Sequence, residues 1–210
     1  MGWYADHVLP RVFDWTLGTA GMGELRGPVL AGLAGTVVEV GFGSGPNLPY
    51  YPAAVERVLA VEPSTVSRRR AARRITSAGA KVEFVGLDGA ALVLPDASVD
   101  GAVSTWTLCS IPDVCAALAE LHRVLVPGGT LAFLEHGLSP EPRVARWQHR
   151  MSGIQQRTAG GCHPERDITA LVLSAGFEPR WLANRTLPGP RYLGYVHSGQ
   201  VVRGAAPPTG

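Results

Sequence analysis

The chain has 210 residues, 46% hydrophobic and 17% charged, with a formal net charge of +2. That length gives one generous domain with room for a complete sheet, and the composition excludes a disordered or fibrous chain. The charge is too small to argue for nucleic-acid binding.

Cys109, Cys115 and Cys162 are odd in number and lack C-x-x-C spacing, so neither a disulfide framework nor a metal site is expected. No run reaches the roughly 20 apolar residues of a membrane span, and no basic segment leads into an apolar one as in a secretory signal. A cytoplasmic protein without integral membrane association is expected. Lys81 is the only lysine, and with abundant Ala, Gly and Pro this composition suggests a GC-rich bacterial gene.

In residues 1–35, Val8, Leu9, Val12, Phe13 and Leu17 fall near helical spacing, and Gly18, Gly21, Gly23 and Gly27-Pro28 divide the segment into two short helices. This predicts an N-terminal helical cap, either plain packing on the sheet edge or a lid lined by Trp3, Tyr4 and Trp15. Residues 36–203 form the main domain and 204–210 a mobile tail.

Thr36–Val40 reads as a strand buried on both faces, since Val37, Val38 and Val40 leave no polar side. Gly41, Gly43 and Gly45 follow, then Pro46, suited to a first helical turn. A strand, a glycine turn and a helix open a mononucleotide-binding unit, with the ligand at the carboxyl end of the strand. Pro49 and Pro52 make that helix short or irregular. Arg57–Val61 is a second strand ending in Glu62-Pro63-Ser64, with a carboxylate roughly 20 residues after the glycine turn, where ribose hydroxyls are held.

Ser64 or Thr65 caps a helix over Val66–Ala78, whose Arg68, Arg69, Arg70, Arg73 and Arg74 read as a solvated face. Lys81–Val85 is strand three, followed by Asp88-Gly89-Ala90. Strand four is Gly101–Thr105, and a helix ending near Arg123 turns through Pro127-Gly128-Gly129 into strand five, Thr130–Glu135. Beyond it, Val144, Trp147 and Met151 share a helix face read as packing, Pro164–Ala175 is a further helix, and Phe177–Thr186 and Arg191–Val202 pair antiparallel.

The spacing G-x-G-x-G preceded by Glu39 departs from the dinucleotide pattern G-x-G-x-x-G. It resembles motif I of class I S-adenosylmethionine-dependent methyltransferases. Leu94-Pro95-Asp96-Ala97-Ser98-Val99-Asp100, Ile111-Pro112-Asp113 and Leu121-His122-Arg123-Val124-Leu125-Val126-Pro127-Gly128-Gly129 resemble the type 11 branch. Leu108-Cys109-Ser110-Ile111, Phe133-Leu134-Glu135-His136 and Gly161-Cys162-His163 resemble, more narrowly, the alkyl-thiol S-methyltransferases of methyltransferase-like family 7.

The resemblance implies an α/β, Rossmann-like class I methyltransferase fold: a seven-stranded, mostly parallel sheet of order 3-2-1-4-5-7-6, strand seven antiparallel. It implies S-adenosyl-L-methionine as cofactor and a small, apolar methyl acceptor, thiol sulfur favoured. On the cofactor side it places Glu39 (toward the methionine ammonium), Gly41, Gly43, Gly45, Asn47, Glu62, Pro63, Asp88 (toward the adenine amino group), Gly89, Ala90, Thr105 and Leu108. On the acceptor side it places His136 and His163, as base or thiolate stabiliser. Cys109 and Cys162 read as buried structural thiols, with methyl-carrying as the alternative. Rival readings are C-, N- or O-methylation of a quinone-like or lipid acceptor, a nicotinamide oxidoreductase, and a non-catalytic cofactor-binding protein.

Overall fold

The structure, a computed structural model, describes residues 20–204. Most of the expected cap, with Trp3, Tyr4 and Trp15, and residues 205–210 of the tail lie outside them. The elements are α1 (Ala20–Leu30), β1 (Gly35–Val40), a 3-10 turn (Leu48–Tyr50), β2 (Val55–Val61), α2 (Thr65–Thr76), β3 (Lys81–Gly86), β4 (Val99–Thr105), α3 (Val114–Val124), β5 (Leu125–His136), α4 (Pro142–Thr158), α5 (Ile168–Ser174), β6 (Phe177–Thr186) and β7 (Tyr195–Arg203).

The strands form one seven-stranded sheet of order β3-β2-β1-β4-β5-β7-β6. β1 pairs parallel with β2 and β4, β2 with β3, and β4 with β5, while β7 runs antiparallel to both β5 and β6. The order reverses beside β1, and in doubly wound sheets ligands bind at the carboxyl edge of such a reversal.

Alternation along the strands sorts the core into two layers. Val38, Val40, Leu131 and Phe133 pack with Leu118 and Leu121 of α3 and Ile168 and Val172 of α5. Val37, Val103, Ala132 and Leu134 pack on the opposite face with Leu25, Val29 and Leu30 of α1 and Ala71 of α2. This explains the unbroken apolar reading of β1: both faces are covered.

Several local expectations are corrected. α1 runs unbroken through Gly21, Gly23, Gly27 and Pro28. Its packing through Leu25, Val29 and Leu30 outweighs their poor helix propensity, and a Cβ at Gly23 would collide with the Tyr50 ring. The segment after Pro46 is short and irregular as expected: a three-residue 3-10 turn forms, the two nearby prolines removing helical donors.

β5 begins at Leu125, because Leu125 pairs with Val99 and the Pro127-Gly128-Gly129 segment becomes a register shift within the strand. α5 begins only at Ile168, capped by Asp167 accepting from the Ala170 N–H. On α4, Trp147 is 57% exposed, and the inward face carries Val144, Gln148, Ser152 and Gln155. Among the described residues no helix is long and apolar enough to cross a membrane.

Candidate active site

The turn after β1 needs its glycines for two different reasons. Gly41 and Gly43 have φ of +74° and +58°, a region that L side chains rarely adopt. At Gly41 a Cβ would also collide with the Thr107 side chain, so the turn lies directly on the loop leaving β4. A Cβ at Gly43 would instead meet nothing nearer than 3.9 Å, and its absence leaves bare backbone at the carboxyl edge.

Glu62, at the tip of β2, ties this turn down. Its Oε2 accepts the Gly43 N–H at 2.8 Å and its Oε1 the Ser64 N–H at 2.7 Å. The carboxylate is 7% exposed, and burial raises its pKa against those two hydrogen bonds. Each oxygen keeps a further lone pair for a hydroxyl donor. Pro63 beside it is exposed.

Arg74 of α2 donates to the Ser44 carbonyl and hydroxyl, and Arg68 lies 4.3 Å over the Phe84 ring. Two of the five arginines expected on a solvated face therefore brace the fold. Farther along the same edge, Asp88 is exposed and accepts the Ala90 N–H at 2.8 Å. Gly89 is buried, since a Cβ there would press into Val40.

Beneath the glycine turn lies a closed polar cluster. Glu39 is 1% exposed; its Oε1 accepts from Asn47 Nδ2 at 2.8 Å and its Oε2 from the Tyr51 hydroxyl at 2.6 Å. Arg26 of α1 donates to Asn47 Oδ1 and, at 3.0 Å, to Thr105 Oγ1. Asn47 is thus oriented by a cation on its oxygen and a carboxylate on its nitrogen, and it also donates to Thr105 at 3.1 Å. Burial pushes the Glu39 carboxyl up to about 7, only partly offset by Tyr51, Asn47 and the Arg26 charge. Three residues expected on the cofactor side, Glu39, Asn47 and Thr105, are brought together here. Arg26 was missed: nothing in its local sequence distinguishes it from a surface arginine of a helix.

A second buried carboxylate organises the tips of β4 and β5. Glu135 Oε1 accepts from the Ser104 hydroxyl at 2.7 Å and from the amides of Thr107 and Leu108, and its Oε2 from the amide of Cys109 at 3.2 Å. Arg166 closes the same loop from outside, donating to the carbonyls of Leu108 and Ile111. Leu108 itself is given to the core: its side chain is fully buried, its N–H goes to Glu135 and its carbonyl to Arg166.

Trp106, unmarked by any sequence pattern, has φ of +58°, which is strained for a non-glycine residue. Its buried Nε1 has no hydrogen-bond partner among the described residues, and its ring lies 4.6 Å from that of His136.

His136 ends β5 on this edge, half-buried, with Nδ1 3.6 Å from Cys162 Sγ. Cys162 Sγ is in turn 3.8 Å from Cys109 Sγ. Both sulfurs are buried, and Cys162 together with burial holds the Cys109 thiol well above its ordinary range. The other expected acceptor-side histidine turns away: His163 Nδ1 lies 2.9 Å from Glu165 and 3.1 Å from Gln156. Its backbone N–H reaches the Cys109 carbonyl at 2.7 Å.

A bare glycine turn at the carboxyl end of β1, an acidic tip on β2 and a lone antiparallel β7 define a class I methyltransferase fold. The family model for a methyltransferase domain matches residues 38–133. Human thiol S-methyltransferase TMT1B is 30% identical over 179 residues, covering 79% of this chain and 72% of that protein. Rat TMT1B is 31% identical over 148 residues, covering 68% of this chain and 59% of that protein.

The demethylmenaquinone methyltransferase of Thermus thermophilus is 38% identical over 80 residues, covering 38% of this chain and 34% of that protein. Among solved structures, a methyltransferase from Bacillus halodurans superposes with a TM-score of 0.71 at 15% identity, over 87% of this chain and 98% of that one. That likeness concerns the fold alone. This chain belongs to the S-adenosylmethionine-dependent methyltransferase family that includes the thiol S-methyltransferases TMT1A and TMT1B.

Proposed function

We propose that the protein transfers a methyl group from S-adenosyl-L-methionine to the sulfur of a small apolar thiol. The carrying observation is the placement of His136 at the β5 tip, half-buried against Trp106 on the sheet edge that bears the glycine turn. The bare backbone at Gly43 and the buried carboxylate at the β2 tip fit the cofactor, which when bound supplies a methyl group already activated as a sulfonium.

On this reading Gly43 gives the cofactor a side-chain-free surface, Gly41 and Gly45 let the turn pack against Thr107 and Leu48, and Glu62 accepts the ribose hydroxyls. Asp88, with Gly89 and Ala90, borders the adenine. Glu39, held by Asn47 and Tyr51, supplies negative potential under the methionine end. The chain's catalytic task is then mainly positional: it must hold the acceptor sulfur in line with the methyl carbon and keep water away. A thiol with an ordinary pKa near ~8.5 is a minor thiolate at neutral pH, so a group that stabilises the anion is needed. His136 is the group that faces this task; His163 is engaged with Glu165 and Gln156.

Two features support sulfur over a quinone carbon. The thiol-methylating relatives align over more than two thirds of the chain, while the Thermus quinone enzyme aligns over little more than one third. The β5 tip also presents a polar imidazole beside the Trp106 ring rather than a purely apolar slot.

The test measures S-adenosylhomocysteine formation with a graded panel of alkyl thiols, hydrogen sulfide and a lipid-quinone extract. Turnover is expected with the alkyl thiols, rising with chain length. Turnover only with the extract would remove the sulfur assignment. Thermal stabilisation by NAD but not by S-adenosylhomocysteine would remove the cofactor assignment as well.

A further inference from the structure

Cys109, His136 and Cys162 come from three separate segments, and their ligand atoms all lie within 4.8 Å of one another. The geometry points to a zinc site of composition Cys2His, with an open fourth position that takes the acceptor thiol. This deepens the proposed thiol methylation and rests on it for the identity of the fourth ligand.

Two of the three ligand–ligand distances are those of a tetrahedral metal corner, and the third lies within 4.8 Å. With Zn–S near 2.3 Å and Zn–N near 2.05 Å, a tetrahedral angle sets two thiolates ~3.8 Å apart and a thiolate and imidazole ~3.6 Å apart. The structure has Cys162 Sγ 3.8 Å from Cys109 Sγ and 3.6 Å from His136 Nδ1. The corner is also rigid. The Cys109 N–H is held by Glu135 and its carbonyl by the His163 N–H, which fixes the two cysteine segments against each other.

Charge and burial agree with a cation. The two thiols are buried side by side, with the Cys109 N–H on the Glu135 carboxylate, and a divalent ion is what makes both thiolates tenable there. Three protein ligands with a vacant fourth position is the arrangement of catalytic rather than structural zinc. Cys109 and Cys162 are nearly inaccessible, at 1% and 5% exposure, whereas half-buried His136 marks the side from which a ligand enters.

The chemistry balances without a further reagent. The acceptor thiol coordinates and releases its proton to solvent. Its sulfur lone pair then forms the new C–S bond to the methyl carbon, and the sulfonium C–S bond breaks with its pair left on the homocysteine sulfur. The neutral thioether product is a weaker ligand than the thiolate and leaves. His136 then acts as a ligand and not as a base.

The experiment titrates the reduced full-length protein with Co2+ and with Zn2+, before any methyl donor is added. One equivalent of Co2+ is expected to give tetrahedral ligand-field bands and thiolate-to-cobalt charge transfer, displaced by Zn2+ and altered by a short alkyl thiol. Cys162→Ser and His136→Asn should weaken binding more than ~100-fold, beyond what losing a hydrogen bond to a ligand costs. Cys115→Ser, which alters an exposed thiol, should bind like the parent.

Cys109→Ser is included, but Cys162→Ser and His136→Asn carry the conclusion if it does not fold, their unfolding midpoints being measured in parallel. Absence of the charge-transfer band, its survival in Cys162→Ser, or oxidation of both thiols to a disulfide in place of metal uptake overturns the site. A band that no thiol perturbs overturns the open position. Undiminished thiol methylation by chelator-stripped protein overturns the zinc role and leaves the proposed function intact. A thiol-responsive cobalt site in a protein that methylates no thiol does the reverse.

Discussion

Glu39 shows how one buried carboxylate acquires a pH signature. Its ordinary value of 4.5 is lifted to about 7 by burial, in spite of Tyr51, Asn47 and Arg26. Between those values the native chain keeps a proton that the unfolded chain has released. Stability from this group is therefore fully present below pH ~4.5, falls as the pH rises and is gone above ~7. At ~1.4 kcal/mol per pH unit the loss is on the order of 3 kcal/mol. Glu39→Gln, which keeps the shape but cannot ionise, should remove that slope. Urea unfolding at pH 4.5 and pH 8 checks it, and parallel losses in parent and variant would contradict the assignment. The motif position of Glu39 was legible in the sequence. Its partners Arg26 and Tyr51 were not, because a side-chain hydrogen bond leaves no local pattern.

At the scale of elements, the backbone link between the β4 and β5 tips ends with the Trp106 N–H on the Leu134 carbonyl, and beyond it Glu135 joins them. One carboxylate satisfies three consecutive amides and a serine hydroxyl, so the loop that carries Cys109 has little freedom. Glu135→Gln replaces one acceptor oxygen by a donor that faces amide donors. The expected cost is about 1–3 kcal/mol, with faster hydrogen exchange confined to residues 104–110. Unchanged exchange there would show that the loop is held by Arg166 and packing alone.

α4 teaches a related lesson about sequence reading. Its apolar spacing pointed Val144, Trp147 and Met151 inward, yet the buried face is Val144, Gln148, Ser152 and Gln155. Gln148 accepts the Ser139 N–H and donates to the Gly137 carbonyl, both at 2.9 Å, satisfying the chain just after β5. A buried backbone segment without a strand partner needs such an amide more than it needs a tryptophan.

Across the whole molecule, one sheet separates two apolar layers that share its central strands. Because Val37 and Val38 are neighbours in β1 but belong to opposite layers, neither layer can loosen without disturbing the strand between them. Leu30→Ala on the α1 side and Leu121→Ala on the α3 side should each cost about 2–5 kcal/mol. Both should shift one common transition, followed by tryptophan fluorescence and far-ultraviolet circular dichroism. Separate transitions for the two probes would show that the layers unfold independently.

The sequence by itself determined the glycine turn and the acidic tip of β2, which rest on properties that neighbouring residues settle among themselves: backbone freedom, side-chain alternation and motif spacing. The strand order and the reversed β7 were expected only through the family resemblance that those motifs carry. Only the tertiary structure decided that α1 supplies Arg26 to the Glu39 cluster, that Glu135 staples the loop carrying Cys109, and that Cys162 meets His136 and Cys109. His136 and Cys109 lie 26 and 53 positions from Cys162 along the chain, and their ligand atoms come within 4.8 Å of one another only because strands and crossovers fold onto one sheet edge. Contacts of that kind depend on the path of the whole chain, and no local spacing encodes them.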